Sequence, residues 1–131
     1  MTSPSFSWPR GARGALTASW DDGTVYDRRL VELHNAAGWK ATWNLNSGML
    51  GRSAEESGWK DYIEAGEVAS LYAGHEIASH TVSHPFLWTL PDSAVANEIL
   101  EDRRTLEALI EAPVTGFCLP FGDGGQRERL M

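Results

Sequence analysis

The chain contains a single cysteine, Cys118, so no disulfide can close within it and a reducing compartment is permitted. Basic residues are also scarce: 11 lysines and arginines stand against 18 aspartates and glutamates, a formal net charge of -7. Nucleic acids and anionic membrane surfaces select positive proteins, so neither is expected as a partner. No apolar run approaches the roughly 20 residues of a transmembrane helix. The opening MTSPSFSWPRGARGAL lacks the continuous apolar stretch of a secretory signal. With the lone cysteine, this points to the cytoplasm. Internal repeats and low-complexity tracts are absent as well.

What remains is a chain of 131 residues, 42% of them hydrophobic, enough for one globular domain around a single core. Residues 1–13 are rich in proline, serine and glycine and are expected to be loose, with the domain over 14–131. Six tryptophans are many for this length. Trp20 and Trp43 lie in strand-like runs and are expected in the core. Trp59 and Trp88 sit in polar or loop-like surroundings and are candidates for the rim of a site, because indoles stack on sugar rings.

The patterning alternates strands with helices. ALTASW (15–20) alternates apolar and polar residues as a strand does and ends in the turn chemistry of DDGT. Over 25–37, Leu30, Leu33 and Ala37 keep helical spacing, and Gly38 stops the helix. KATWNLN (40–46) reads as a second strand, with a loop through Gly58. Residues 61–73 read as a helix weakened by Gly66. HEIAS (75–79) reads as a third strand. Residues 91–112 form the clearest helix, with Val95, Ile99, Leu106 and Ile110 on one face. VTGFCLP (114–120) reads as a fourth strand, and QRERLM (126–131) as the first turn of another helix. This order implies a parallel sheet with right-handed crossovers. Reactive groups in such folds gather at the C-terminal ends of the strands.

Three chemically suggestive segments fall on that rim: Asp21 and Asp22, then His80 and His84, then Phe121 and Gly122. Alone, DDG is most simply a turn. A histidine pair at i and i+4 on a helical turn aims both imidazoles one way, yet alone it is most simply a surface coincidence. Together they offer two imidazoles and a carboxylate, a common open set for a divalent metal. A second carboxylate beside a ligand can accept a proton from water. The spacing does not say which aspartate takes which role. His34 reads as a helix-surface residue, His75 as structurally packed and Cys118 as a small buried residue. The charges of EILEDRRTLE (98–107) read as a solvated face.

SWDDG (19–23), HEIASHTVSHP (75–85) and GFCLPFG (116–122) resemble, in order, the first three motifs of the polysaccharide deacetylase family, the NodB homology domain also classed as carbohydrate esterase family 4. The resemblance runs from about residue 15 to the end of the chain. It implies a (β/α) barrel of which about four strands are present, and metal-assisted hydrolysis of N- or O-acetyl groups on carbohydrate. It assigns Asp21 as general base, Asp22, His80 and His84 as metal ligands, and the backbone N–H of Phe121 as an oxyanion donor. Pro120, Gly122 and Trp88 are expected to line the substrate site. Zinc is the expected metal, with cobalt, manganese or nickel as alternatives by ligand type.

The chain departs from the family pattern in three respects, the first being that members of the family are often secreted while no signal is visible here. The arginine that orients the base in the third motif is replaced by Cys118. The two later motifs, one of which supplies a histidine acid, have no counterpart before Met131. A half-barrel leaves an unpaired strand edge and an uncovered apolar face. The chain is therefore expected to be a fragment of a longer product or a homo-oligomer. Two rival functions are hydrolysis of a small non-peptide C–N bond in an amide or ureide, and a non-catalytic metal- or carbohydrate-binding remnant of the same fold.

Overall fold

The computed structural model describes residues 8–122. The expectations for most of the loose N-terminal segment and for QRERLM fall outside them. Four strands, β1 (Ser19–Asp22), β2 (Thr42–Leu45), β3 (Glu76–Ser79) and β4 (Gly116–Phe117), form one parallel sheet in the order β1-β2-β3-β4. The crossovers carry helices α1 (Asp27–Ala37), α2 (Ala54–Ser57), α3 (Val68–Leu71) and α4 (Asp92–Ile110). Single 3-10 turns span Pro9–Gly11, Ala65–Glu67, Leu87–Thr89 and Pro120–Gly122. Among the described residues no helix is long and apolar enough to cross a membrane.

The number and order of strands match the alternation in the sequence, but several boundaries differ. β1 begins later than the ALTASW pattern suggests and contains both aspartates. The expected helix over 61–73 is a bridge at Tyr62 followed by two single turns. A 3-10 turn over Ala65–Glu67 occupies the stretch holding Gly66, whose backbone favours departure from α geometry. Gly38 closes α1 as expected: at φ 68 it takes the left-handed conformation and its N–H caps Asn35.

The sheet is open but strongly curved. β1 and β4 are its two outer strands, with β2 and β3 between them. A flat sheet would separate them by roughly 14 Å at about 4.8 Å per strand. Yet the Cys118 thiol, one residue beyond β4, lies 3.9 Å from Oδ1 of Asp21 on β1. The sheet therefore wraps as part of a barrel wall, and the wrap brings the strand ends together.

Each face has its own chemistry. On the helix side the core comprises Trp43 and Leu45 of β2 with Val31, Ile63, Val68, Tyr72, Leu106 and Val114. Trp43 is fully buried, but Trp20 is 38% exposed, contrary to the expectation that both are core. β1 is an outer strand, so among the described residues only β2 flanks it in the sheet. The opposite face carries Ser19, Asp21, Thr42, Asn44 and Glu76. Thr42 donates to Glu76, and Asn44 donates to both Ser19 and Asp21. This stretch of the barrel-interior face is polar, not the uncovered apolar surface expected from the sequence.

The fully buried stripe of α1 is Asp27, Val31 and His34; Leu30 packs partly buried against the core as its spacing suggests, while Leu33 and Ala37 are exposed. His34 is 7% exposed and accepts the Trp20 indole N–H through Nε2 at 3.1 Å. Its ring sits edge-on to Trp39, Trp43 and His75, which corrects its reading as a surface residue. His75 is structural, as expected: its Nδ1 accepts the Ala41 N–H at 3.2 Å.

Asp27 is 3% exposed, and the Tyr72 hydroxyl donates to its Oδ2 at 2.6 Å. Burial raises its pKa to about 6; the Tyr72 hydrogen bond opposes this and the Asp22 charge adds to it. A carboxyl with a raised folded-state pKa contributes stability below its unfolded value of 3.8 and loses it as pH rises through about 6. Asp27→Asn, which cannot ionise, should therefore gain on the wild type by about 2 kcal/mol between pH 4 and pH 7.5. Urea denaturation at the two pH values measures this. A gap between the two proteins that does not change with pH contradicts it.

Candidate active site and metal centre

Asp22 closes β1 and is followed by Gly23. The two residues have φ of 83 and 76, turning the chain sharply off the sheet. That turn lets adjacent aspartates serve one site from different directions: Asp22 joins the histidines, while Asp21 stays on the polar sheet face. His80 follows β3 directly, and His84 lies four residues on.

The pair does not ride on a helical turn as the sequence suggested. Residues 80–84 form an irregular loop with Thr81 at φ 73 and His84 at φ 55. Left-handed conformations of non-glycine residues, above all of a β-branched one, cost of order 1–3 kcal/mol and persist only where the surroundings impose them. Of the six described non-glycine residues with positive φ, four lie here: Asp22, Thr81, His84 and Phe121.

Three groups impose that loop. Asn46, fully buried, donates through Nδ2 to the carbonyls of His80 and Thr81. Gly48 donates its N–H to the Val82 carbonyl at 2.9 Å. A Cβ on Gly48 would lie 2.6 Å from Val82 Cγ1 and 2.7 Å from its oxygen, so only glycine lets the two backbones meet. The third is Asp102 of α4. It is fully buried and accepts from Ser47 N at 2.7 Å, Ser79 Oγ at 2.6 Å and His80 N at 2.9 Å.

Asp102 belongs to the charge run read as solvated, and its burial overturns that reading. A signal was present. Positions 95, 99, 102, 106 and 110 keep helical spacing, so 102 is a carboxylate on the apolar stripe. Buried charges of this kind survive only with donors converging on them.

The side chains converge as a metal site requires. Asp22 Oδ1 lies 3.8 Å from His80 Nε2 and 3.5 Å from His84 Nε2. The three ligand atoms all lie within 4.8 Å of one another. Bonds of roughly 2.0–2.2 Å to one ion would set neighbouring ligand atoms roughly 3.0–3.6 Å apart, so the residues fit with small adjustments. His80 is 1% exposed, and its Nδ1 meets the Cys118 carbonyl at 2.8 Å. That contact places the proton on Nδ1 and leaves Nε2 free to ligate. Burial lowers the pKa of His84, as does His80, while Asp22 opposes them. The neutral, ligating form is thereby favoured.

Beside this trio, Asp21 is exposed at the rim. Its Oδ1 accepts from Asn44 Nδ2 at 2.6 Å. Cys118 is half-buried rather than a core residue, with its thiol turned toward Asp21. Burial raises the thiol pKa and the Asp21 charge adds to it, so the protonated form is favoured.

Phe121 adopts φ 61, and its ring lies 4.6 Å from the His84 ring and 3.9 Å from Phe86, nearly parallel to the latter. Trp88 is half-buried and 6.3 Å from Phe121. Pro120 is buried and Gly122 exposed in the same turn. Trp59 is 57% exposed, with the Lys60 ammonium 3.4 Å above its ring. Nothing in the local sequence singles out Asn44 or Asn46, and Asp102 shows only through the spacing of its helix.

Comparison with known proteins agrees with the geometry. The family profile described as Polysaccharide deacetylase matches residues 9–130. Among solved structures, the Streptococcus pyogenes deacetylase PplD in complex with acetate superposes with a TM-score of 0.73 at 18% identity, over 88% of this chain and 50% of its own. IcaB from Ammonifex degensii gives 0.72 at 17%, over 84% and 52%. A family 4 carbohydrate esterase from Streptomyces lividans in complex with acetate gives 0.65 at 20%, over 85% and 53%. The chain thus spans about half the length of these proteins. No curated protein sequence matches it significantly. The profile match over nearly the whole chain, with three motif segments folded onto one rim of a curved parallel sheet, shows that the chain belongs to the polysaccharide deacetylase family.

Proposed function

We propose that this chain carries the metal ligands and the base of a hydrolase that removes acetyl groups from N- or O-acetylated carbohydrate. The observation that carries this reading is the meeting of Asp22, His80 and His84 beside a second carboxylate, Asp21. A divalent ion on the three ligands, zinc by preference for two imidazoles and a carboxylate, would lower the pKa of a coordinated water to about 7 and polarise the acetyl carbonyl.

The residues divide the remaining work. Asp21 takes the proton from the attacking water as its oxygen bonds to the acetyl carbon. The backbone N–H of Phe121 donates to the oxyanion, a contribution of roughly 3–4 kcal/mol in other hydrolases. The carbon–nitrogen or carbon–oxygen bond of the tetrahedral species then breaks, acetate departs, the amine or hydroxyl leaves with a proton drawn from solvent water, and Asp21 returns its proton to the solvent. Pro120, Gly122 and Trp88 shape the entrance for the sugar.

The test is acetate release from acetylated chitooligosaccharides and acetylated xylan by the purified chain with added zinc or cobalt. Release that needs the metal is the expected result. A protein that binds one metal per chain yet releases no acetate overturns the hydrolase and leaves a metal-binding relative.

A further inference from the structure

We propose that Asn44 is the residue that holds Asp21 in position, replacing the third-motif arginine whose place Cys118 occupies. The inference rests on the reading of Asp21 as base. The parallel register pairs Asp21 directly with Asn44, so their side chains emerge side by side on the polar face. The Asn44 amide nitrogen donates to Asp21 Oδ1 at 2.6 Å and to Ser19 Oγ at 2.8 Å.

The two acceptors, one residue before and one residue after Trp20 on β1, fix the plane of the amide. Asn44 is itself 2% exposed, so it has little rotational freedom of its own. Asp21 is exposed, and a short exposed carboxylate without a partner samples several rotamers. A buried, doubly bonded donor restricts it to the one seen here, with a carboxylate oxygen within 4.8 Å of a His80 ring nitrogen. The thiol of Cys118, 3.9 Å away, is a weak and distant donor by comparison. Asn44 acts through Asp21 and is a positioning residue, not a catalytic one.

The experiment compares Asn44→Leu, Asn44→Leu/Cys118→Arg and Ser19→Ala with the wild type in metal content and steady-state kinetics. Asn44→Leu should lower kcat about 10- to 100-fold, the usual effect of removing an orienting partner, with KM and metal stoichiometry unchanged. The guanidinium in the double variant, placed where the thiol already faces Asp21, should recover at least about a tenth of wild-type kcat. A purely structural asparagine would not be rescued in this way.

If Asn44→Leu does not fold, Ser19→Ala decides, because Ser19 is exposed and anchors the same amide. It should lower kcat about threefold to tenfold, and an unchanged kcat overturns the proposal. A folded Asn44→Leu with kcat within about twofold of the wild type also overturns it. If the wild-type chain hydrolyses nothing, the base reading has failed separately. The crystal structure of Asn44→Leu then settles the positioning role: an Asp21 carboxylate displaced from its wild-type rotamer supports the proposal, and an unmoved one overturns it.

Discussion

Asp21→Asn should reduce acetate release by about a thousandfold or more while the protein still takes up one metal ion per chain. General-base catalysis is worth about 10²- to 10⁴-fold, and an amide cannot accept a proton at neutral pH. The substitution is nearly isosteric, and Asn44 can still donate to the amide oxygen. Asp21 is exposed, so no core is disturbed. The proposed ligands Asp22, His80 and His84 form a group without it, although Asp21 also meets His80 and Cys118 within 4.8 Å. Isothermal titration with zinc and an acetate assay on the same preparation separate the two functions. Metal loss with the activity would make Asp21 a ligand; retained activity would remove it from the mechanism.

Asp102→Ala should be the most damaging change outside the site itself. Its carboxylate is fully buried and is reached by three donors from two segments, the turn after β2 and the end of β3. The His80 N–H also bonds the Leu45 carbonyl at 3.0 Å and keeps that partner. The Ser47 N–H and the Ser79 hydroxyl would lose the acceptor that the structure provides. Each unsatisfied buried donor costs about 1–3 kcal/mol, and a cavity remains where the side chain stood. A loss of about 3–5 kcal/mol is expected, a large share of the 5–15 kcal/mol that holds a typical domain together.

The same substitution removes one of the two acceptors that hold the His80 N–H, so zinc affinity should weaken about 10- to 100-fold. Asp102→Asn keeps the shape and one acceptor oxygen, and should fall between the two in both measurements. Urea denaturation and a chelator-competition titration read the two effects. A stability within about 0.5 kcal/mol of the wild type would show that Asp102 is not the clamp described above.

The contrast between these residues shows where local sequence carries information. SWDDG and HTVSHP announce themselves because each sets two candidate groups, Asp21 with Asp22 and His80 with His84, within a few positions of each other. Asn44 does not, and the spacing around Asp102 betrays its burial but not its partners, which lie 23 residues away for Asn44 and 22 for Asp102. Which partner an amide or carboxylate meets depends on strand register and on which side of a helix faces the sheet. The shape of the loop over 80–84 is illegible for a related reason. Spacing of four suggests a helical turn, but Asn46, Gly48 and Asp102 hold that segment in left-handed turns that no local propensity favours.

By itself the sequence determined the alternation of four strands with helices, the closing of α1 at Gly38, and the gathering of Asp21, Asp22, His80, His84 and Phe121 on one rim. These follow from periodicity, glycine conformation and the polarity of parallel strands, all of which act over short stretches. Only the tertiary structure decided that Asn44 meets Asp21, that Asp102 anchors the histidine loop, that His34 is buried and Trp20 is not, and that Cys118 reaches across from the far edge of the sheet. Those facts depend on how far the sheet curls and which surfaces it covers. Both are set by packing among all the elements at once and by no single segment.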